Sequence, residues 1–109
     1  MDSADIIRQI TFNDDGLVPV IAQHYKTSEV LMMAWMNKEA VEITLKTGNV
    51  HYWSRSRKAL WRKGETSGHV QSLKEFYIDC DGDTILIKAD QVGPACHTGE
   101  KTCFFNKIL

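Results

Sequence analysis

The sequence lacks both a membrane span and a secretion signal. No apolar run approaches the roughly 18 residues that a transmembrane helix needs. Residues 1–5 are acidic and are not followed by the basic-then-apolar pattern of a signal peptide. These two absences predict a cytoplasmic protein that makes no contact with a membrane.

Cysteine and net charge are also scarce. The three cysteines are an odd number, which disfavours a self-contained disulfide framework and fits a reducing compartment. The formal net charge is −1, whereas a dedicated nucleic-acid binder is normally basic overall. The composition therefore argues against a nucleic-acid partner.

The remaining composition is that of an ordinary globular domain. The chain has 109 residues, of which 43% are hydrophobic and 25% are charged. This length suits one domain over residues 1–109, with no internal repeat or linker. Cationic side chains are concentrated between residues 55 and 63, and a local cationic patch in a near-neutral protein suits a small phosphorylated ligand.

The hydrophobic pattern predicts a mainly β, α+β domain with one main helix. Apolar runs over residues 18–22 and 29–36 predict a β-hairpin. Asn37 is a good N-cap for a helix over residues 38–47, and Gly48 is a natural stop. Residues 51–54 and 103–105 read as short strands, and residues 70–79 and 84–92 as two strands joined at Asp81-Gly82. Residues 55–68 have no clear period and predict a long loop with a turn near residues 58–61.

Three alternating carboxylates form the first candidate site. Asp79, Asp81 and Asp83 would share one face of an extended chain, where they repel one another unless a cation neutralises them. The calcium EF-hand pattern fails, because its sixth and twelfth positions would be Thr84 and Asp90 instead of glycine and glutamate. A magnesium site completed by substrate phosphate fits better, and a plain polar turn is the alternative.

The cysteines form the second candidate site. Thiolate and imidazole are the ligands that zinc prefers, and three thiols would leave a fourth position open for water. Cys80 lies between the aspartates and should point away from them, so one chain would not easily gather it with Cys96 and Cys103. A dimer could complete the site, although isolated cysteines are often only small buried hydrophobes. His97, next to Cys96, could move a proton near neutral pH, and His69 is a weaker candidate.

An aromatic and basic segment forms the third candidate site. Indole rings can stack on a purine, guanidinium groups pair with phosphate, and hydroxyls and glycines let an anion approach closely. The alternative is a solvated basic loop with its tryptophans in the core. The candidate substrate-binding residues are Trp53, Arg55, Arg57, Trp61, Lys63, Thr66 and Ser67.

Five motifs, in order along nearly the whole chain, resemble the phosphoribosyl-AMP cyclohydrolase family of histidine biosynthesis. They are Val30-Leu31-Met32-Met33-Ala34-Trp35-Met36-Asn37, His51-Tyr52-Trp53-Ser54-Arg55-Ser56-Arg57, Leu60-Trp61-Arg62-Lys63-Gly64-Glu65-Thr66-Ser67-Gly68-His69, Asp79-Cys80-Asp81-Gly82-Asp83 and Gly93-Pro94-Ala95-Cys96-His97-Thr98-Gly99. The departures are mild: Lys58-Ala59 stands where a glycine is common, and Thr102-Cys103-Phe104-Phe105 stands where serine and tyrosine usually flank the cysteine and phenylalanine.

The resemblance implies a fold, two metals and a reaction. It implies a small β-rich pseudo-barrel capped by a helix, assembled as a two-fold homodimer. It implies zinc held by Cys80 of one subunit and by Cys96 and Cys103 of the other, and magnesium at Asp79, Asp81 and Asp83. The implied reaction is hydrolytic opening of the adenine ring of 1-(5-phosphoribosyl)-AMP between N1 and C6, giving the formimino-aminoimidazole carboxamide ribotide.

A structural-zinc module is the alternative from another class. In that case the zinc would hold the fold together, and the aromatic and basic segment would dock RNA or a protein. The two hypotheses differ in what loss of a cysteine does. Loss of a structural ligand unfolds the chain, whereas loss of a catalytic ligand leaves a folded, inactive protein.

Overall fold

A computed structural model describes residues 2–109 of the chain, and in that range it contains two helices and six strands. The elements follow the order α1 (Ser3–Arg8), β1 (Leu17–His24), β2 (Val30–Asn37), α2 (Lys38–Thr47), β3 (His51–Ser54), β4 (Ala59–Arg62), β5 (Gln71–Ile78) and β6 (Ile85–Gln91). The predicted mainly β, α+β class is confirmed. None of the helices in this range has the length and apolar character needed to cross a membrane.

Four of the strands form a mixed sheet in the order β2-β1-β6-β5. β1 pairs antiparallel with β2 and parallel with β6, and β6 pairs antiparallel with β5. β3 and β4 form a separate antiparallel ribbon. The β1–β2 hairpin and the antiparallel pairing of the strands on either side of Asp81-Gly82 are therefore confirmed.

The sheet does not close into a barrel, so the predicted pseudo-barrel is wrong. Closure would need β2 and β5 to pair, but each edge is covered by a loop instead. At β2, the backbone N–H of Cys103 donates to the carbonyl of Leu31. At β5, Val50 N–H donates to Gln71 and Leu73 N–H donates to Gly48. These bonds satisfy edge groups that would otherwise seek another strand.

Helix α2 begins and ends where the sequence predicts. The Asn37 side chain accepts a hydrogen bond from the backbone N–H of Ala40 at 2.8 Å, and Gly48 ends the helix in the left-handed conformation with φ of +76°. Its inner face buries Ala40, Val41 and Thr44. The core beneath also contains the alternating buried residues of the two central strands, Val18, Val20, Ala22, Ile85 and Ile87.

Three local predictions need correction, and one helix was not predicted. Residues 59–62, expected within a loop, form strand β4, and residues 103–105 are not a strand. The β5–β6 connection spans residues 79–84 and is longer than a two-residue turn. The capped helix α1, where Asp2 accepts from Asp5 N–H, was not predicted because its six residues are too few for a clear helical period.

Candidate functional site

An open cleft of about 490 Å³ lies between the segment from β4 to His69 and the segment after β6. Most of the residues predicted to bind metal or substrate, or to act in catalysis, lie in its wall although they are distant in sequence. Those residues are Arg57, Trp61, Lys63, Thr66, Ser67, His69, Cys96, His97 and Cys103. The fold therefore brings together one cysteine pair, two histidines and much of the aromatic and basic segment.

The thiols of Cys96 and Cys103 interact with each other in this wall. The Thr98 hydroxyl donates to Cys96 Sγ at 3.0 Å, and this hydrogen bond is the main cause of a lowered pKa at the Cys96 thiol. Burial, followed by the Cys96 contact, raises the pKa of the Cys103 thiol. Two adjoining thiols, one of them prone to deprotonate, are suitable ligands for a soft metal ion.

Lys63 connects β4 to the cysteine segment. Its Nζ donates to the backbone carbonyl of Ala95 at 2.5 Å, one residue before Cys96. Burial lowers the pKa of its half-buried amine, and the nearby Cys103 and Cys96 thiols oppose that shift. The amine, predicted to contact substrate, thus already has a protein partner.

His69 is partly buried, whereas His97 is exposed at the cleft. The His69 backbone N–H donates to Ser67 Oγ at 3.1 Å. A side chain at Gly64 would have its Cβ 2.4 Å from the His69 carbonyl carbon, and one at Gly93 would have its Cβ 2.7 Å from His69 Cδ2. Both glycines are therefore needed for the close packing around this histidine.

The predicted magnesium ligands and Cys80 lie outside the cleft, in the turn of residues 79–84. This turn precedes β6, and Cys96 follows that strand. Within residues 2–109 of one chain, no three His, Cys, Asp or Glu side chains group as metal ligands would. In that range Cys80 therefore does not form a metal-ligand group with Cys96 and Cys103.

That segment is a turn and not the extended backbone on which the expected common face of the three aspartates rested. Asp79 Oδ1 accepts hydrogen bonds from the backbone N–H groups of Asp83 and Thr84 at 3.0 and 3.2 Å. A hydrogen bond with Asp79 raises the pKa of the Asp83 carboxyl. Cys80 is exposed, and its thiol donates to Asp81 Oδ1 at 3.2 Å.

Two residues predicted to bind substrate also lie outside the cleft wall. The Arg55 guanidinium stands over the Trp35 ring, 4.8 Å from its centroid. Trp53 lies on β3 opposite Leu60 of β4. Other residues of the cleft wall were not among the predicted site residues. All seven lie in the quoted motifs, which could have pointed to them, although Met32 has an apolar side chain with no reactive or binding group. They are Met32, Arg62, Gly64, Glu65, Pro94, Ala95 and Gly99.

Comparison with known proteins identifies relatives over most of the chain. Residues 32–105 match the family model described as phosphoribosyl-AMP cyclohydrolase. Proteins of that name from Paramagnetospirillum magneticum and Micrococcus luteus are 67% and 60% identical, each over 96% of this chain and over 80% and 83% of their own lengths. The Halorhodospira halophila protein of that name is 58% identical over 99% of this chain and 76% of its own length.

Proposed function

The chain belongs to the phosphoribosyl-AMP cyclohydrolase family, and on that premise we propose that it opens the adenine ring of 1-(5-phosphoribosyl)-AMP by zinc-dependent hydrolysis in histidine biosynthesis. The bond that breaks joins N1 to C6, and the product is the formimino-aminoimidazole carboxamide ribotide. The observation that carries the proposal is the adjoining pair of thiols, Cys96 and Cys103, in the wall of a cleft that also contains two histidines and a cationic, hydroxyl-rich loop. We place the enzyme in the cytoplasm as a homodimer.

The donor set in the cleft fits zinc in part. Cys96 and Cys103 would supply two thiolates from one chain, and Cys80 of a second chain would supply the third. Such a set leaves one position for water, as in other catalytic zinc sites, and bound zinc lowers the pKa of that water to about 7. The exposure of Cys80 favours this sharing, since an exposed thiol can meet a partner chain.

The residues of the cleft have separate roles in the proposed reaction. His97 takes a proton from the water that adds to C6, and N1 gains a proton when its bond to C6 breaks. His69 contacts the adenine ring from the cleft wall. Trp61 stacks on the base. Substitution at N1 makes C6 more electrophilic, and this favours the addition of water to C6 before the ring opens.

The phosphates would be held by the segments on either side of β4 and by magnesium. Arg57, Lys63, Thr66 and Ser67 offer cations and hydroxyls, and Trp53 and Arg55 extend this surface beyond the cleft. Magnesium would bind Asp79, Asp81 and Asp83 together with substrate phosphate, and these aspartates would come from the second chain that supplies Cys80. A cation there is compatible with the crowding of carboxylates that raises the Asp83 pKa.

Metal removal tests the proposed activity. We expect the purified protein to open 1-(5-phosphoribosyl)-AMP, to lose that activity on chelation and to regain it with zinc, followed by the absorbance change of the opened ring. Activity that is the same with and without zinc would exclude zinc dependence. Cys103→Ser should fold and be inactive; an unfolded Cys103→Ser chain would favour the structural-zinc module instead.

Mixing of variants tests the shared site. Cys80→Ser and Cys96→Ser chains are each inactive, but a heterodimer of the two contains one site with all three cysteines intact. We expect partial recovery of activity after mixing and subunit exchange. The matched control mixes Cys96→Ser with Cys103→Ser, in which every site of the heterodimer lacks a ligand and no recovery is expected. Equal results for both mixtures would count against sharing.

A further inference from the structure

A row of hydrogen-bonded side chains runs from the core to the cleft wall. Tyr52 is fully buried and Gln71 is 1% exposed. The Tyr52 hydroxyl donates to Gln71 Oε1 at 2.7 Å, and Gln71 Nε2 donates to Gln91 Oε1 at 2.8 Å. Gln91 Nε2 then donates to the backbone carbonyls of His69 and Val92, each at 3.0 Å. The row therefore ends on the backbone of a histidine in the cleft wall.

The end of the β5–β6 ladder explains why the row ends there. Gln71 and Gln91 are paired across the two strands, and they are the last pair of the ladder. Cross-strand partners lie close enough for their side chains to interact. Beyond them, Val92 N–H donates to Val70 O. The His69 carbonyl lies past the last ladder pair and accepts from the Gln91 side chain instead.

A buried amide or phenol group destabilises the fold unless it is hydrogen-bonded, and a pair of apolar residues could join the same strands without that requirement. The presence of polar residues here therefore points to a specific role. Here each amide is hydrogen-bonded. Burial raises the pKa of the Tyr52 hydroxyl, which therefore stays protonated and remains a donor. The direction of donation thus runs from the core towards His69.

Three further contacts restrict His69. Ser67 Oγ accepts from its backbone N–H. The backbone of Gly64 lies so close to the His69 carbonyl carbon that a Cβ would not fit between them, and Gly93 packs against Cδ2 of the His69 ring. Unlike these three contacts, the hydrogen bond from the Gln91 side-chain amide connects His69 to the buried core through further hydrogen bonds.

We propose that the hydrogen-bonded Gln71–Gln91 pair positions His69, fixing its carbonyl so that the imidazole lies against Gly93 in the cleft wall. Gln91 is the positioning residue, and Tyr52 and Gln71 hold its amide in the orientation that donates. The proposal rests on the proposed function in that His69 contacts the substrate of the ring-opening reaction. A misplacement of about 1 Å in a reactive group can cost up to about 100-fold in rate, so this support would be visible in kcat.

Two substitutions at Gln91 test the row. Gln91→Met keeps a similar volume but removes both donors, and Gln91→Glu keeps the shape but offers only acceptors to the two carbonyls. We expect both variants to fold and to lose roughly tenfold in kcat with KM changed less than about twofold. The matched control is Thr44→Val, which removes the buried contact from His51 N–H to Thr44 Oγ1 at 2.9 Å. It should lower stability and leave kinetics unchanged.

A second measurement does not depend on activity. The imidazole carbon and nitrogen resonances of His69, assigned by comparison with His69→Asn, should shift in both Gln91 variants and stay in place in Thr44→Val. Unchanged resonances, or kinetic losses equal to those of Thr44→Val, would overturn the positioning role. If wild-type protein fails to open 1-(5-phosphoribosyl)-AMP, the proposed function fails, while the resonances still decide whether Gln91 positions His69.

Discussion

Gly64 and Gly68 adopt the same backbone conformation, with φ of +82° at each, but only Gly64 is crowded. A Cβ at Gly64 would meet the backbone of His69 and Val70 at 2.4 to 2.7 Å, and a Cβ at Gly68 would meet nothing within 4 Å. Gly68→Ala should therefore cost only the left-handed strain, about 1–2 kcal/mol. Gly64→Ala adds an overpacking cost of about 1–3 kcal/mol.

Urea denaturation of the two alanine variants checks this difference. The free energy of unfolding should be lower for Gly64→Ala than for Gly68→Ala, and the His69 resonances should move only in Gly64→Ala. Equal losses of stability would mean that the loop after β4 relaxes freely, and would contradict the close packing around His69.

Burial of Tyr52 predicts how stability depends on alkaline pH. Desolvation raises the pKa of its hydroxyl above the ordinary value of 10.0, and the Cys103 thiol adds to the shift. As pH rises above 10, the unfolded chain loses this proton while the folded chain keeps it, so the free energy of unfolding falls by up to about 1.4 kcal/mol per pH unit. Below pH 10 this contribution is constant.

Tyr52→Phe isolates that contribution. The variant should be less stable at pH 8 by about 1–3 kcal/mol, because Gln71 Oε1 loses its donor, but its stability should fall less steeply between pH 10 and 11. Urea denaturation at several pH values measures both effects. Parallel curves for the variant and the wild type would show that the folded chain also releases the Tyr52 proton near pH 10.

At the scale of secondary-structure elements, the sequence predicted best those features that depend on neighbouring residues alone. Helix α2 was predicted at both ends because Asn37 and Gly48 each act on the adjoining backbone, without help from the rest of the fold. Strand β4 was not predicted, because its four residues are defined by pairing with β3 and carry turn-forming neighbours, including Lys58 with φ of +51°. Residues 103–105 have strand-like side chains, but their segment docks on β2 through a few bonds only.

That docked segment gives a prediction about metal affinity. The Thr102 hydroxyl donates to Val30 O at 2.7 Å, next to the bond from Cys103 N–H to Leu31 O at 2.8 Å. Thr102→Val keeps the shape of the side chain but removes this donor. Since the bond holds a proposed zinc ligand in place, we expect a roughly tenfold weaker zinc affinity, corresponding to about 1.4 kcal/mol.

A chelator competition assay measures the zinc affinity of Thr102→Val. The control is Thr47→Val, which removes a hydroxyl that donates to Ile43 O at 2.7 Å on helix α2, away from the cleft. Its zinc affinity should equal that of the wild type. An unchanged affinity in Thr102→Val would indicate that Cys103 is held by the cysteine pair alone.

At the scale of the whole molecule, the sequence predicted residues that line the cleft better than it predicted the arrangement of the sheet. The cleft residues were found because their motifs carry reactive and glycine-rich chemistry, and the separation of Cys80 from Cys96 follows from its place before β6. The parallel pairing of β1 with β6 and the open sheet depend on contacts between distant segments. Alternating apolar residues do not specify which strand lies beside which.

A zinc site shared between two chains, as proposed, would make zinc binding and dimer formation one linked equilibrium. A metal that binds only a site built from two chains stabilises the dimer by mass action. We expect sedimentation at a series of concentrations to show that zinc lowers the dimer dissociation constant, and that a chelator raises it. The effect should be absent in Cys80→Ser, although that chain retains Cys96 and Cys103.

The matched variant for this linkage is Asp81→Asn, which changes the neighbour of Cys80 and the acceptor of its thiol without removing the thiol. Under conditions without magnesium or substrate, it should keep the zinc dependence of dimer formation. If zinc affects wild-type and Cys80→Ser dimers equally, each zinc is held within one chain. That outcome would contradict a shared site, because Cys80 does not group with Cys96 and Cys103 within residues 2–109 of one chain as the structure describes it.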